Sequence, residues 1–266
     1  MKARELVFDL YGDYVRYLGG VTRLGELTEI LEGFGVGAPT VRVTMSRMRK
    51  EGWFETERQG RETSYRMTEK LVRYLDAGHE RIFQPPIRAW VGQWTIVMLQ
   101  IPERERARRD GMKRVLSWEG FGQLNSSSWI SPRQNRRDVE VLLDAEQDDQ
   151  IDVFVLESGS LEGDRALAAR CWDLRELNGW YQGFLDRWGA YQEVDLAALE
   201  PRDALKLRVE LIATYRQVLF LDPFLPRILQ PEGWLGGRAY QTFLVIHDRL
   251  ASPSMAYAAG FILDEG

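Results

Sequence analysis

The side chains best placed for chemistry in this 266-residue chain are arginines, and they gather early. Between Thr40 and Arg73 nine basic residues (Arg42, Arg47, Arg49, Lys50, Arg58, Arg61, Arg66, Lys70 and Arg73) stand against five acidic ones, whereas the whole chain has a formal net charge of −5. Positive charge collected at one place on an acidic protein is the pattern of a chain that meets a polyanion there. At 100° per residue, Val41, Met45 and Met48 form one apolar stripe of a helix, which leaves Thr40, Arg42, Val43, Ser46, Arg47 and Lys50 for the opposite side. Arginines so presented can grip guanine O6 and N7 with two parallel hydrogen bonds, while Thr40 and Ser46 reach bases or phosphates. Arg58, Arg61 and Arg66 follow on a short hairpin and would neutralise phosphates.

Other chemistry is sparse. Two histidines, His79 and His247, lie far apart in sequence with no partner at metal-ligand spacing, which assigns them surface or interface roles. The lone Cys171 sits in a helical stretch without a neighbouring histidine and reads as a small buried hydrophobe. The acidic run Glu146, Asp148, Asp149 and Asp152 reads as a solvated turn rather than a cation site. Neither a Walker loop nor a nucleophile elbow is present. Gly33-Phe34-Gly35-Val36-Gly37 follows a helix rather than a strand, so it is a helix stop and tight turn, not a dinucleotide fingerprint.

The elements that must hold the arginines can be read outward from them. Pro39 suits a first helical turn and Gly52 a helix end, which bounds a helix at about Pro39 to Glu51. Ahead of it the spacing predicts helices over Ala3 to Leu18 and, with Thr22 as N-cap, over a second stretch carrying Leu24, Leu27, Ile30 and Leu31. Behind it, Phe54 to Arg58 and Thr63 to Met67 read as two strands around Gln59-Gly60-Arg61-Glu62, followed by a helix from Thr68 to about Phe83 and a linker at Pro85-Pro86. Three helices and a basic hairpin predict a winged helix-turn-helix over residues 1–86.

Beyond the linker the pattern changes. A buried strand at Gln93 to Ile101, a charged helix at Glu103 to Trp118, a strand at Gln123 to Ile130, a short helix at Arg136 to Leu143 and a strand at Ile151 to Leu156 give a β-α-β-α-β order. That order predicts a ferredoxin-like α/β sandwich over about 87–160, with its fourth strand not evident. The remainder, 161–266, is mostly helical: Leu174, Leu177, Tyr181, Phe184, Leu185 and Trp188 share one sector, Asp203 to about Phe220 forms a second helix, and Arg238 to Leu250 another. The fold class is thus α+β in three parts, the last expected to serve dimerisation or sensing. The N-terminus lacks the apolar core of a signal peptide, the longest apolar runs are too short to span a bilayer, and one cysteine makes no internal disulfide, so a cytoplasmic protein is expected.

With these elements in place a family resemblance emerges. Thr40 to Phe54 (TVRVTMSRMRKEGWF), Gly60 to Lys70 (GRETSYRMTEK), Gly120 to Pro132 (GFGQLNSSSWISP), Asp222 to Pro226 (DPFLP) and the later Gly233-Trp234 resemble the PaaX-like transcriptional repressors over nearly the whole chain. The resemblance implies a homodimeric repressor of an aromatic-acid catabolic operon, bound to double-stranded operator DNA and released by an aryl-acyl coenzyme A such as phenylacetyl-CoA, with no cofactor. It also likens the central part to a small ferredoxin-like CRISPR-associated nuclease that needs an aspartate at the end of its first strand. Here that strand runs into Leu99-Gln100-Ile101-Pro102, which argues against metal-dependent cleavage. For the effector, an acyl-CoA needs cations for its phosphates and an apolar wall for its acyl part. Arg104, Arg108 and Arg133 in two basic clusters, with Trp94 and Trp129 on neighbouring strands, are the candidates, and both tryptophans would alternatively be core. The rival functions are an enzyme on the central part, either a nuclease or an acyl-CoA hydrolase, and a winged domain used against protein.

Overall fold

The computed structural model describes residues 1–60, 62–83, 89–133, 136–143, 150–157 and 159–260. Arg61, Pro85-Pro86 and the acidic residues Glu146, Asp148 and Asp149 lie outside the described residues. The chain is of the α+β type. In order it forms α1 (Ala3–Asp13), β1 (Val21–Arg23), α2 (Leu24–Glu32), α3 (Ala38–Lys50), β2 (Phe54–Gln59), β3 (Glu62–Met67), α4 (Glu69–Phe83), β4 (Gln93–Leu99), α5 (Arg106–Trp118), β5 (Gly122–Gln123) and β6 (Ser128–Ser131). Then follow α6 (Arg136–Leu143), β7 (Ile151–Glu157), α7 (Leu161–Cys171), α8 (Leu174–Trp188), α9 (Pro201–Tyr215), α10 (Gly236–Arg249) and α11 (Ala251–Ala259). By contact the chain divides into two compact units. One comprises Met1–Gln84, Phe184–Gln217 and Arg238–Gly266, the other Pro85–Gly183 and Val218–Gly237.

In the first unit a three-stranded antiparallel sheet of order β1-β3-β2 lies beside α1 to α4. The hairpin β2–β3 pairs Phe54 with Met67 and closes at Gln59 opposite Glu62, with Gly60 at φ +64°, a left-handed conformation that favours glycine. Helix α3 begins with Gly37 as N-cap and Pro39 in its first turn, where a missing N–H costs nothing, and stops before Gly52 at φ +79°. Its stripe of Val41, Met45 and Met48 is fully buried against Leu6, Leu27, Leu31, Phe54 and Leu71, a core that Leu205 and Val209 of α9 and Ala258 of α11 complete. Thr22 does not cap α2. It pairs with Tyr65 in β1, and its hydroxyl lies 2.7 Å from the Tyr11 hydroxyl, while Glu26 accepts from the Arg23 N–H at 3.1 Å to cap α2 instead.

In the second unit the sheet order is β5-β6-β4-β7, all pairs antiparallel. The expected strand from Gln123 to Ile130 is in fact a small hairpin: Asn125 Oδ1 accepts from the backbone N–H groups of Ser127 and Ser128 at 3.0 and 2.9 Å and turns the chain between β5 and β6. That turn supplies the fourth strand. One face of the sheet packs Val97, Leu99, Trp129 and Val153 against Leu116 of α5 and Val139 and Leu143 of α6. The other face packs Trp94 and Ile130 against Ala168 of α7, with Leu174, Leu225 and Leu229.

Candidate nucleic-acid interface

With its apolar stripe buried, α3 presents Thr40, Arg42, Val43, Arg47, Arg49 and Lys50 to solvent, and Ser46 is half-buried among them. Val43 is 69% exposed, on the same outward side of the helix. Arg42 lies in a surface hollow with Arg23, Gly25, Thr28, Glu62 and Thr63. Both nearby carboxylates are engaged by Arg23, Glu26 at 3.6 Å and Glu62 at 3.3 Å. Among the described residues Arg42, Arg49 and Lys50 take no carboxylate partner, so their charge is available to an incoming anion. On the hairpin, Arg58 is exposed and its Nε donates to Gly60 O at 3.3 Å, while Arg66 on β3 is half-buried and engaged.

At the C-terminal end of α3 a network appears that spacing alone does not reveal. Glu51 Oε1 accepts from Arg47 Nε at 3.1 Å, and its Oε2 accepts from Arg4 Nη1 at 2.5 Å and from Trp53 Nε1 at 3.0 Å. Lys70 Nζ donates to the Glu51 carbonyl at 2.7 Å and sits 4.2 Å from the centre of the Trp53 ring. Phe8 and Tyr74 each meet the Trp53 ring edge-on at 5.3 Å. The hydrogen bonds from Arg4 and Trp53 hold the Glu51 carboxyl below the ordinary glutamate range. Only the Arg47–Glu51 pair, four residues apart, is legible in sequence. Arg4 and Lys70 are 47 and 19 residues from Glu51.

The residues considered for an effector are placed differently. Trp94 is fully buried and donates its indole N–H to Asp164 at 2.8 Å. Trp129 is 6% exposed, on the opposite face of the sheet. Arg104 is exposed beside Glu105 at 3.6 Å. Arg108 donates to Glu105 at 3.2 Å and Gln150 at 3.0 Å, and Arg133 donates to Glu119 O at 2.9 Å while lying over the Phe224 ring. The structure therefore does not bring the two tryptophans to one wall. It does bring the two histidines together. His79 and His247 line a cavity of about 740 Å³ in the first unit with Asp13, Phe83 and Arg208, where His247 Nε2 lies 3.1 Å from Asp13 and burial lowers the His79 pKa. Among the described residues no three His, Cys, Asp or Glu side chains converge to hold a metal ion, and no helix is long and apolar enough to cross a membrane.

Comparison with known proteins extends along the whole chain. Residues 2–71 match a PaaX-like protein, residues 87–168 the PaaX protein central Cas2-like domain, and residues 172–260 the PaaX-like protein C-terminal domain. The transcriptional repressor PaaX of Escherichia coli strain K12 is 33% identical over 262 residues, which cover 96% of this chain and 82% of that protein. Among solved structures, an uncharacterized protein from Mycobacterium tuberculosis superposes with a TM-score of 0.56 over 89% of both chains at 21% identity, a likeness of fold alone.

Proposed function

The chain belongs to the family of PaaX-like proteins, and from that premise we propose that it is a DNA-binding transcriptional repressor of an aromatic-acid, phenylacetate-type catabolic operon, and not an enzyme. The observation that carries this reading is the outer face of α3, where Arg42, Arg49 and Lys50 are exposed and, among the described residues, take no carboxylate partner, beside a hairpin that carries Arg58. The sequence α1-β1-α2-α3-β2-β3 with sheet order β1-β3-β2 supports a winged helix-turn-helix, α3 being the helix that enters the major groove. The order β4-α5-β5-β6-α6-β7 with sheet order β5-β6-β4-β7 supports a ferredoxin-like second part.

In this reading Thr40, Arg42, Val43, Ser46, Arg47 and Lys50 meet base edges and nearby phosphates, and Arg58, Arg61 and Arg66 meet the backbone. One such domain reads only a short half-site, so a homodimer on an inverted repeat is the working form. The apolar stripe of α8, from Leu174 to Trp188, is buried within a single chain, so a dimer must use other surface than that stripe. Release is by an aryl-acyl-CoA such as phenylacetyl-CoA, whose phosphates would find Arg104, Arg108 and Arg133, and the buried placement of Trp94 and Trp129 favours their role as core over a role as pocket walls. The test is a gel shift on the promoter upstream of the chain's own operon, in excess non-specific duplex, with a panel of acyl-CoA thioesters and free acids. Specific retardation reversed by an aryl-acyl-CoA is expected. Linkage requires the operator to weaken thioester binding by the same factor that thioester weakens DNA binding. No specific retardation would remove the repressor reading, and release by a free acid alone would remove the thioester.

A further inference from the structure

We propose that Glu51 is a positioning residue for sequence readout: it holds the Arg47 guanidinium through Nε alone, in the orientation that leaves both Nη groups for one base. This rests on the reading of α3 as the DNA-contacting helix. A free arginine on a helix surface samples many rotamers, and each one lost on binding lowers affinity. Arg47 is highly exposed, its side chain 77% accessible, so packing does not fix it. Its hydrogen bond to Glu51 Oε1 engages the inner nitrogen and leaves the outer fork open, which is the edge that can meet guanine O6 and N7.

For Glu51 to orient Arg47 it must itself be fixed, and it is, from three directions. Arg4 at the start of α1 and Trp53 just ahead of β2 both donate to Oε2, and Lys70 of α4 donates to the Glu51 carbonyl. Arg4 also stacks over Phe8 and Trp53, at 5.3 and 5.8 Å from their ring centres, so the two donors to Oε2 brace each other. A surface pair of arginine and glutamate four residues apart contributes little stability. The same pair, with the carboxylate clamped by Arg4 of α1 and by Trp53 at the approach to the hairpin, and the Glu51 backbone carbonyl held by Lys70 of α4, gives a side chain pre-set in direction. Among the described residues Arg42, at the other flank of α3, takes no carboxylate partner, the nearby Glu26 and Glu62 being paired with Arg23. Readout at the Arg47 base should thus be the sharper of the two.

The test is a double-mutant cycle with Arg47→Ala, Glu51→Ala and the pair, each full-length chain being challenged with a randomised duplex library and with one fixed non-specific duplex, and its melting temperature recorded. Glu51→Gln, which keeps shape and one acceptor, accompanies the cycle. Expected is that Glu51→Ala lowers base discrimination by about 3- to 10-fold, part of the roughly 5- to 150-fold a bidentate contact carries. The loss should fall at the same base position that Arg47→Ala relaxes, with Glu51→Gln between, and with affinity for the non-specific duplex not lowered, since both Glu51 substitutions remove a negative charge. In the Arg47→Ala background the Glu51 substitution should remove no further discrimination. If Glu51→Ala keeps wild-type discrimination, or reduces it equally when Arg47 is absent, Glu51 is only structural and the proposal is overturned while DNA reading stands. If the wild-type chain enriches no sequence at all, the DNA reading falls, and this proposal with it.

Discussion

Asp9, on α1, offers a perturbation whose size follows from where it sits. It is 7% exposed and its carboxylate lies 3.2 Å from Arg216 Nε, with Glu5 and Asp13 also near on the same helix. Burial dominates over the attraction of Arg216, and the two neighbouring carboxylates add to it, so the Asp9 carboxyl is pushed up to about 7. The folded chain then binds the Asp9 proton more tightly than the unfolded chain does. The stability this contributes is whole below the ordinary aspartate value of 3.8 and is lost as pH rises through about 7. That interval of proton affinity corresponds by linkage to on the order of 2–4 kcal/mol once local relaxation is allowed for. Asp9→Asn keeps the shape and cannot ionise. Urea unfolding of both chains between pH 4 and pH 8 isolates the effect, because other titrating groups cancel in the difference. The two should be close in stability near pH 4, with Asp9→Asn ahead by a margin that grows up to about pH 7 and then levels off. A difference that does not vary with pH, or a wild-type chain that gains on the variant as pH rises, would show that Arg216 rather than burial governs this carboxyl.

Two further substitutions probe the units separately. In the first, Arg208 is 6% exposed and pairs with Asp13 at 3.1 Å; Arg208→Ala leaves the buried Asp13 carboxylate with His247 at 3.1 Å and should cost about 1–3 kcal/mol in urea unfolding, and no loss would show that the Arg208 pairing contributes nothing to stability. In the second, a Cβ at Gly122 would stand 2.5 Å from Trp172 and 2.8 Å from Cys171 Cβ, so Gly122→Ala should destabilise by roughly 1–3 kcal/mol, and a variant melting at the wild-type temperature would mean that Trp172 moves freely.

Much of the DNA-facing part is legible because its signals are local. Pro39 and Gly52 bound α3 to within a residue at each end, and the stripe Val41, Met45, Met48 fixes which side faces out. Turn residues around Gly60 likewise give the hairpin. What stayed hidden depends on partners distant in sequence. Thr22 reads as a helix cap because Ser and Thr favour that place, but a three-residue strand is decided by its pairing with β3, more than forty residues on. The hairpin of β5 and β6 falls within a stretch read as one strand, Gln123 to Ile130, although its centre, Asn125-Ser126-Ser127, is made of turn-forming residues and the turn rests on the Asn125 side chain. The tryptophans illustrate parity. Val97 pairs with Trp129, and Trp94 is three residues from Val97, an odd step that puts the two indoles on opposite faces. Only the register between strands reveals that, and sequence does not contain it.

The central claim is that α3 reads base edges, and the most direct measurement is the ratio of operator to non-specific affinity for the wild-type chain, Arg42→Ala and Arg47→Ala at one fixed salt concentration. Each substitution should remove about 1–3 kcal/mol of specific binding, with non-specific binding lowered only by the loss of one charge. Wild-type ratios for both variants would contradict the account and move DNA recognition to another surface of the chain.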